Sequence, residues 1–447
     1  MAANQIKSRD RMLRDFTDIV SIDSPSLKER KMADALRVKL EAIGFTVYED
    51  GAGIIAGGEC GNLIAALQAD NGGGAIPLKS GVALPGDCRE TVSGDGGGVF
   101  AAAGAGTTGV RLPVVALLAH MDTVGPCENK RWIVDGDIVR SDGNTILGGD
   151  DGAGVVAALE VARRVKEEGI RHGGILIIYT IAEETGLDGA KNLDRKIIKA
   201  AFGGSADNHG GSADNHDGSV NDNVGAIPQF CFVFDSGGPP GSVVSRAPSH
   251  TDVIITVKGV ASHAGIEPEK GVNAIVALSE AISKMPLGRI DAETTSNIGI
   301  IKGGNARNVV CDMAVAEGEA RSHNSDTLAR QVAAMKECVA TACEQRGATF
   351  EFTEITSYNA FSLTRDDPII KLLSAAAQAR GYELNLVPTG GGSDANVLNA
   401  MGIPAANLPI GMHEVHSTKE YTNLMETSET VELIVEAFRL LAAGAAL

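Results

Sequence analysis

The sequence predicts an α/β protein in which a mixed central sheet flanked by helices carries a smaller, inserted α+β domain. Apolar, β-branched runs such as 114–119 and 174–180 alternate with amphipathic helical segments, which is typical of strand–helix–strand crossovers. Later in the chain the predicted order becomes β-α-β-β-α-β, the order of a ferredoxin-like unit. Because 447 residues exceed one ordinary core, we expect a discontinuous domain of residues 1–248 and 355–447 around an inserted domain of residues 249–354.

The composition is that of a globular protein, with 44% hydrophobic and 21% charged residues. The formal net charge of −18 argues against nucleic acid and anionic membranes as partners. No segment approaches the roughly 20 apolar residues of a membrane span, and the N-terminus has no recognisable signal peptide. The seven cysteines are odd in number and include no C-x-x-C pair, so we expect a reduced, cytoplasmic protein.

The first part of the chain predicts a helix, a strand and a loop insertion. The sequence SLKE at 26–29 is typical of a capping box, and the amphipathic run 30–42 that follows ends at Gly44, a plausible C-cap. Alternation at 45–48 predicts a strand. Glycine-rich sequence between about 71 and 110 predicts a flexible loop or a long hairpin insertion.

The remaining elements follow from hydrophobic periodicity. The repeat GGSADNH, at 203 and again at 210, predicts a low-complexity loop. Further strands are predicted at 135–140, 230–234, 251–258, 298–302, 313–321 and 349–353, and helices at 155–165, 271–283, 327–346, 368–380 and 430–442.

Acidic and imidazole residues collect at the ends of predicted strands and at the start of one helix. In an open α/β sheet the C-terminal ends of strands are where ligands and catalytic groups collect. Oxygen and nitrogen donors without a thiolate suit Zn²⁺, Mn²⁺ or Co²⁺ better than a structural zinc site, and two adjacent ions would need one bridging carboxylate. The candidates are His120, Asp150, Glu183, Glu184, Asp235 and His416.

Two of these positions have clear alternatives. His120 and Asp122 lie two apart at a strand end, so both side chains leave on one face, and Asp122 could hold the second ring N–H of a metal-binding His120. The alternative is a surface histidine with a turn-initiating aspartate. Asp150 and Asp151 open a helix, where the macrodipole favours carboxylates, and the alternative is an N-cap followed by a first-turn acid.

The adjacent Glu183 and Glu184 follow a buried strand. Two neighbouring carboxylates repel unless a cation lies between them or one stays protonated. One could therefore bind a metal while the other acts as general base for water. The alternative is a solvated pair of charges.

Six motifs occur in order along most of the chain: AHMDT, GGDDGAG, IAEETG, VFDSGG, KGVASHAG and GMHEVHSTKE. As a set they resemble the dinuclear zinc exopeptidase family that includes peptidase T, aminoacylase and glutamate carboxypeptidase, and most of all its peptidase T-like branch. The resemblance implies a zinc-exopeptidase catalytic domain with a lid and dimerisation domain inserted into it.

The same resemblance implies roles for the candidate residues. His120 and Asp235 would be terminal metal ligands, and Asp150, followed by a cis peptide bond to Asp151, would bridge. Glu184 and His416 would hold the second metal. Asp122 would orient His120, and Glu183 would be the general base and later the general acid; these two are the expected catalytic residues.

Substrate-binding residues are also implied by the resemblance. His263 would stabilise the oxyanion, and Asn308 and Arg321 would bind a substrate carboxylate, for which the arginine fork is suited. The Gly391 loop would line the cleft. The alternatives are a turn-capping histidine and an ordinary exposed strand cation. The sequence departs from the family pattern at Ala182, where relatives carry another acid, and at Gly152, where relatives often carry lysine.

Taken together, the sequence predicts metal-dependent hydrolysis of an amide bond in a small peptide, as in a tripeptide aminopeptidase. The expected cofactors are two divalent metal ions, zinc first, with cobalt or manganese as alternatives. An N-acyl amino acid deacylase or carboxypeptidase of the same family is the alternative activity, and a catalytically silent peptide-binding protein is the alternative from another class. The expected partners are a small peptide or acyl-amino acid substrate and a second copy of the chain bound through the lid.

Overall fold

The computed structural model describes residues 2–69, 112–202 and 227–444. The predicted insertion at 71–110 and the GGSADNH repeat at 203–216 lie outside the described residues. Among the helices of the described ranges, none is both long enough and apolar enough to cross a membrane.

The described elements follow the predicted alternation. The helices are α1 (Ala2–Val20), α2 (Arg30–Ile43), α3 (Ala52–Ala56), α4 (Gly149–Glu167), α5 (Asp188–Lys191), α6 (Arg195–Ala201), α7 (Ala274–Lys284), α8 (Ser325–Arg346), α9 (Pro368–Ala379), α10 (Asp394–Ala400) and α11 (Leu424–Ala442). The strands are β1 (Thr46–Glu49), β2 (Leu63–Leu67), β3 (Val115–His120), β4 (Trp132–Asp135), β5 (Ile138–Ser141), β6 (Ile175–Thr180), β7 (Phe230–Ser236), β8 (Ser242–Ala247), β9 (Ser249–Lys258), β10 (Gly288–Arg289), β11 (Thr294–Gly303), β12 (Met313–Ser322), β13 (Thr349–Tyr358), β14 (Phe361–Ser362), β15 (Asn385–Pro388), β16 (Ala405–Pro409), β17 (Met412–His413) and β18 (Tyr421–Asn423).

The central sheet is mixed and has nine strands, in the order β1-β2-β6-β3-β7-β16-β8-β14, with β15 paired to β8. Strand β3 is buried along its whole length, which explains its continuous apolar run. It runs parallel to β6 on one side and to β7 on the other. The C-terminal ends of these three strands therefore meet at one edge of the sheet. Helices α1, α2, α4, α9 and α11 contribute to the same apolar core.

A second, five-stranded sheet has the order β10-β11-β12-β9-β13. Apart from the short β10, its elements follow the predicted β-α-β-β-α-β order, and α7 and α8 share an apolar core with its strands. The chain enters and leaves this unit at neighbouring points, because His250 of β9 pairs with Tyr358 of β13. The fold class expected from the sequence, a mixed α/β sheet carrying an inserted α+β unit, is confirmed.

Two local predictions are wrong. The segment 135–140 is not one strand but a hairpin, in which β4 and β5 pair across a turn at Gly136 with φ of 63°. The segment 26–29 forms no capping box, since the N-cap Glu29 makes no side-chain capping bond. The Ser26 hydroxyl instead donates to Asp122 Oδ2 at 2.6 Å. A buried carboxylate thus takes the hydroxyl that a local cap would have used.

Candidate metal centre

The end of β3 places His120 and Asp122 side by side in a buried position, 2% and 0% exposed. Ring atom Nδ1 of His120 lies 2.9 Å from the main-chain oxygen of Asp122 and 3.4 Å from its Oδ1. The other ring atom, Nε2, lies 3.1 Å from Asp150 Oδ1. Asp122 therefore fixes the Nδ1 side of the ring, and Nε2 on the other side faces the neighbouring carboxylates.

Asp122 also forms hydrogen bonds with the loop after β6, which the sequence did not predict. Its Oδ1 accepts the main-chain N–H of Glu183 at 3.0 Å, and its Oδ2 accepts that of Glu184 at 3.2 Å. Burial alone would raise the pKa of Asp122, but its hydrogen bonds with His120 and Ser26 outweigh burial and lower it. Asp122 is thus an ionised anchor that joins the end of β3 to the loop after β6.

Asp150 and Asp151, at the start of α4, have different hydrogen-bond partners. The peptide bond between them is cis, as the family resemblance implied. Asp151 Oδ1 accepts the main-chain N–H of Gly154 at 3.1 Å, and its Oδ2 accepts the main-chain N–H of His120 at 3.0 Å. A Cβ at Gly154 would lie 2.2 Å from Asp151 Oδ1, which explains the glycine of this motif. The capping alternative therefore applies to Asp151, while Asp150 faces the candidate centre.

His416 completes the surroundings of Asp150. Its Nε2 lies 3.2 Å from Asp150 Oδ2 and 3.1 Å from Glu184 Oε1. The two carboxylate oxygens of Asp150 thus face different imidazoles, Oδ1 toward His120 and Oδ2 toward His416. A carboxylate with one oxygen directed to each of two nitrogen donors has the arrangement of a bridging metal ligand.

Glu420 is a residue of this site that the sequence analysis did not single out. Its carboxylate is 1% exposed and accepts three main-chain N–H groups, those of Leu147 at 2.6 Å, Gly148 at 2.9 Å and Asp150 at 3.0 Å. It lies four residues after His416 in the sequence. Glu420 therefore ties the segment that carries His416 to the segment that carries Asp150. One acid within HSTKEYT was too weak a signal to reveal this.

Asp235 and Glu183 add further carboxylates to this region. Burial and the charge of Asp150 raise the pKa of Asp235 well above its ordinary value. Burial and the charge of Asp235 do the same for Glu183. Burial raises the pKa of nearby Asp394 to about 6, against the opposing effect of its hydrogen bond from Thr180. So many converging carboxylates repel one another when no cation lies between them.

The residues present fit divalent metal ions. His120, Asp150 and Glu184 each offer one donor atom, and these atoms lie within 4.8 Å of one another. His416 contacts two of the three at hydrogen-bond distance, whereas Asp235 is outside that group of three. The donors are oxygen and nitrogen atoms, the set that zinc, cobalt and manganese accept.

His263 and Asn308 lie together on the inserted unit. His263 forms an isolated bridge with Val309, and Ala264 N–H donates to the Asn308 main-chain oxygen at 3.0 Å. The exposed ring of His263 accepts the N–H of Gly265 through Nδ1 at 3.2 Å, which is the turn-capping contact considered as its alternative. The structure thus brings these two residues close to each other, through contacts that lie within the inserted unit.

Arg321 lies beside the glycine loop. It lines a cavity of about 240 Å³ together with His323 of the inserted unit and residues 388–390 of the main sheet. Its guanidinium group donates to Glu319 at 3.1 and 2.9 Å. Gly391 follows directly, with its N–H donating to Thr389 Oγ1 at 3.3 Å. The fold therefore places Arg321 beside the loop that contains Gly391, across the junction of the two sheets.

Known proteins resemble this chain along most of its length. The model of the peptidase family M20/M25/M40 matches residues 116–440. The uncharacterized protein YqjE of Bacillus subtilis strain 168 is 34% identical over 425 residues, covering 95% of this chain and 96% of that protein.

Two solved structures are similar over nearly the whole chain. Aminopeptidase PepT of Bacillus cereus ATCC 10987 has a TM-score of 0.74 and 33% identity, covering 97% of this chain and 99% of that chain. A tripeptidase of Staphylococcus aureus subsp. aureus Mu50 has a TM-score of 0.77 and 29% identity, covering 97% and 99%. Both likenesses support the peptidase T-like branch expected from the motifs. The chain belongs to the peptidase family M20/M25/M40.

Proposed function

We propose that this protein is a metal-dependent exopeptidase that hydrolyses an amide bond in a small peptide, as a tripeptide aminopeptidase does. The observation that carries the proposal is the position of Asp150, whose Oδ1 lies 3.1 Å from His120 Nε2 and whose Oδ2 lies 3.2 Å from His416 Nε2. A carboxylate placed between two imidazoles suits a pair of cations that share it. The likeness to an aminopeptidase and a tripeptidase supports a peptide substrate.

In this proposal five residues hold the two ions. His120 and Asp235 would hold one ion, Glu184 and His416 would hold the other, and Asp150 would be shared by both. Zinc is the proposed metal, with cobalt or manganese as the alternatives that the same donors allow. When bound, such ions polarise a carbonyl group and make water acidic enough to lose a proton near neutral pH.

Glu183 is the proposed general base and acid. Its main-chain N–H is held by Asp122 Oδ1 at 3.0 Å, so its position relative to Glu184 is set by the same buried carboxylate. The Glu183 carboxylate accepts a proton from water and later donates it to the leaving amine. Asp122 acts by orientation, because it holds the Nδ1 side of His120 and leaves Nε2 free to bind metal.

The substrate is proposed to bind between the main sheet and the inserted unit. We assign residues 249–354 to a lid and dimerisation domain, and residues 1–248 and 355–447 to the catalytic domain. Arg321 and Asn308 bind the substrate carboxylate, His263 stabilises the oxyanion and the Gly391 loop lines the cleft. A guanidinium group can grip a carboxylate through two parallel hydrogen bonds. We place the protein in the cytoplasm as a homodimer.

A substrate panel tests the proposed function. The purified full-length chain is stripped of metal, reloaded with zinc and assayed with tripeptides, dipeptides and N-acyl amino acids. We expect hydrolysis of tripeptides from the N-terminus, lost on chelation and restored by metal. Cleavage of acyl-amino acids alone would favour the deacylase alternative. Binding of peptides without turnover, with metal present, would favour a silent binding protein.

A further inference from the structure

The side chain of the buried residue Asn407 forms hydrogen bonds with both main-chain polar groups of Asp235, its N–H and its carbonyl oxygen. Asn407 lies on β16 and is 4% exposed. Its Oδ1 accepts the main-chain N–H of Asp235 at 3.0 Å. Its Nδ2 donates to the main-chain oxygen of Asp235 at 2.7 Å and to Ser393 Oγ at 3.1 Å.

The strand register explains why a side chain is needed here. Asn407 is opposite Val233 and Pro409 is opposite Ser236, so the pairing of β16 with β7 shifts by one residue between them. Proline has no N–H to donate, and an irregular ladder leaves main-chain groups unpaired. The pairing of β7 with β3 also stops at Val233. A side-chain amide has one acceptor and donors, so it can replace a peptide group.

The third hydrogen bond sets the orientation of the amide. Both hydrogens of Nδ2 are used, one by the Asp235 main chain and one by Ser393 Oγ. Ser393 is the N-cap of α10, directly after the glycine loop 390–392. The amide of Asn407 is therefore held between the end of β7 and the start of α10, and it cannot rotate without losing these bonds.

We propose that Asn407 is a positioning residue that directs the carboxylate of Asp235 into the metal centre. The proposal rests on the proposed function, in which Asp235 is a metal ligand. The backbone of a residue at a strand end sets the direction of its side chain. Here the side-chain amide of Asn407 binds both main-chain polar groups of Asp235. Partners that orient ligands typically contribute about 10- to 100-fold to metal affinity.

Asn399 of α10 provides a matched control, because its side chain binds the main chain at the start of the same strand, β16. Its Oδ1 accepts the N–H of Ala405 at 3.2 Å, and its Nδ2 donates to the main-chain oxygens of Ala405 and Ala395, both at 2.8 Å. These are the same kinds of bond, at the start of β16 instead of its end. Replacing Asn399 removes a comparable grip at a position that holds no candidate ligand.

The test is a cobalt titration of the metal-free, full-length chain, followed by visible absorption and calorimetry. Wild type is compared with Asn407→Ala, Asn399→Ala and Asp235→Asn, the last defining the signature of a lost ligand. We expect Asn407→Ala to weaken one of two cobalt sites by about 10- to 100-fold. The affected site should be the one that Asp235→Asn loses, and Asn399→Ala should match wild type.

Two outcomes would overturn the inference while leaving the proposed function intact, provided that wild type binds two ions and Asp235→Asn loses one. They are unchanged cobalt binding in Asn407→Ala, and an equal loss in Asn399→Ala. Fewer than two sites in wild type, or no loss in Asp235→Asn, would overturn the proposed function itself and this inference with it.

A milder variant covers the case in which Asn407→Ala does not fold. Ser393→Ala removes the acceptor of one Nδ2 hydrogen, together with the capping bond from the N–H of Ala395, and leaves both bonds between Asn407 and Asp235 in place. It should weaken the same cobalt site by about threefold to tenfold, the effect of one neutral hydrogen bond. Wild-type cobalt binding in Ser393→Ala would then count against the proposal.

Discussion

Replacing Asp122 by asparagine should weaken metal binding and turnover together. The carboxylate accepts hydrogen bonds from the main chain of Glu183 at 3.0 Å, from that of Glu184 at 3.2 Å and from Ser26 Oγ at 2.6 Å. An asparagine amide has one oxygen and one NH₂ group, so the NH₂ must face at least one of these two N–H donors. The hydroxyl of Ser26 can rotate to accept, but a main-chain N–H cannot.

The magnitude follows from the bond that is lost. A hydrogen bond to a charged group contributes about 1.5–3 kcal/mol. Since 1.4 kcal/mol corresponds to a factor of ten, metal affinity should fall by about 10- to 100-fold. The contact of His120 Nδ1 with the main-chain oxygen of Asp122 survives the substitution. The loss should therefore arise mainly through the displaced loop that carries Glu183 and Glu184.

The assay is a metal titration of the stripped protein together with kcat/KM on a cleaved peptide. Asp50→Asn is the matched control, because Asp50 is also a buried carboxylate that accepts main-chain N–H groups, those of Ala52 at 3.0 Å and Asn62 at 2.9 Å. It should lower thermal stability and spare metal affinity. The reasoning is refuted if Asp122→Asn keeps wild-type metal affinity, or if Asp50→Asn loses as much.

Three further predictions concern the same centre. Glu183→Gln should abolish turnover and leave the bound metal unchanged, as measured by elemental analysis beside a peptide assay. Glu420→Gln places an NH₂ group against main-chain donors of the Asp150 turn and should weaken metal binding by about 10- to 100-fold in a titration. Hydrogen bonds with Asp150 and Glu184 raise the pKa of metal-free His416 to about 10. Metal must displace that proton, so apparent affinity should rise with pH, by up to about tenfold per unit below that pKa, with proton release measurable by calorimetry in different buffers.

Each of these predictions has a contrary result. Residual turnover in Glu183→Gln at more than a small fraction of wild type would remove it from the proton-transfer role. The control for Glu420→Gln is Glu432→Gln, which alters a buried ion pair with Arg164. Wild-type metal affinity in Glu420→Gln would show that the Asp150 turn keeps its conformation without the Glu420 carboxylate. An affinity independent of pH would mean that His416 is already neutral when metal binds.

The local patterns were sufficient for most elements but not for their polar contacts. The apolar run before His120 predicted β3 because burial on both faces of a parallel sheet leaves a continuous hydrophobic signature. The segment 26–29 showed the opposite, since its local pattern favoured a cap while Asp122, 96 positions away, took the Ser26 hydroxyl. Periodicity also predicted one strand at 135–140, which runs through the turn at Gly136 into β5 and misses most of β4, because a tight turn hardly interrupts an alternating pattern.

By itself, the sequence determined the α/β class with its inserted unit, the order of the elements that it predicted, and the residues at the strand ends that are candidates for the metal centre. These features are local, since hydrophobic period and strand termini can be read from adjacent residues. Only the tertiary structure decided that Glu420 supports Asp150, that Asn407 grips Asp235, and that Arg321 lies beside the glycine loop. The partner of a buried polar group is whichever group packing brings to it, and in the first of these pairs the partners lie 270 positions apart.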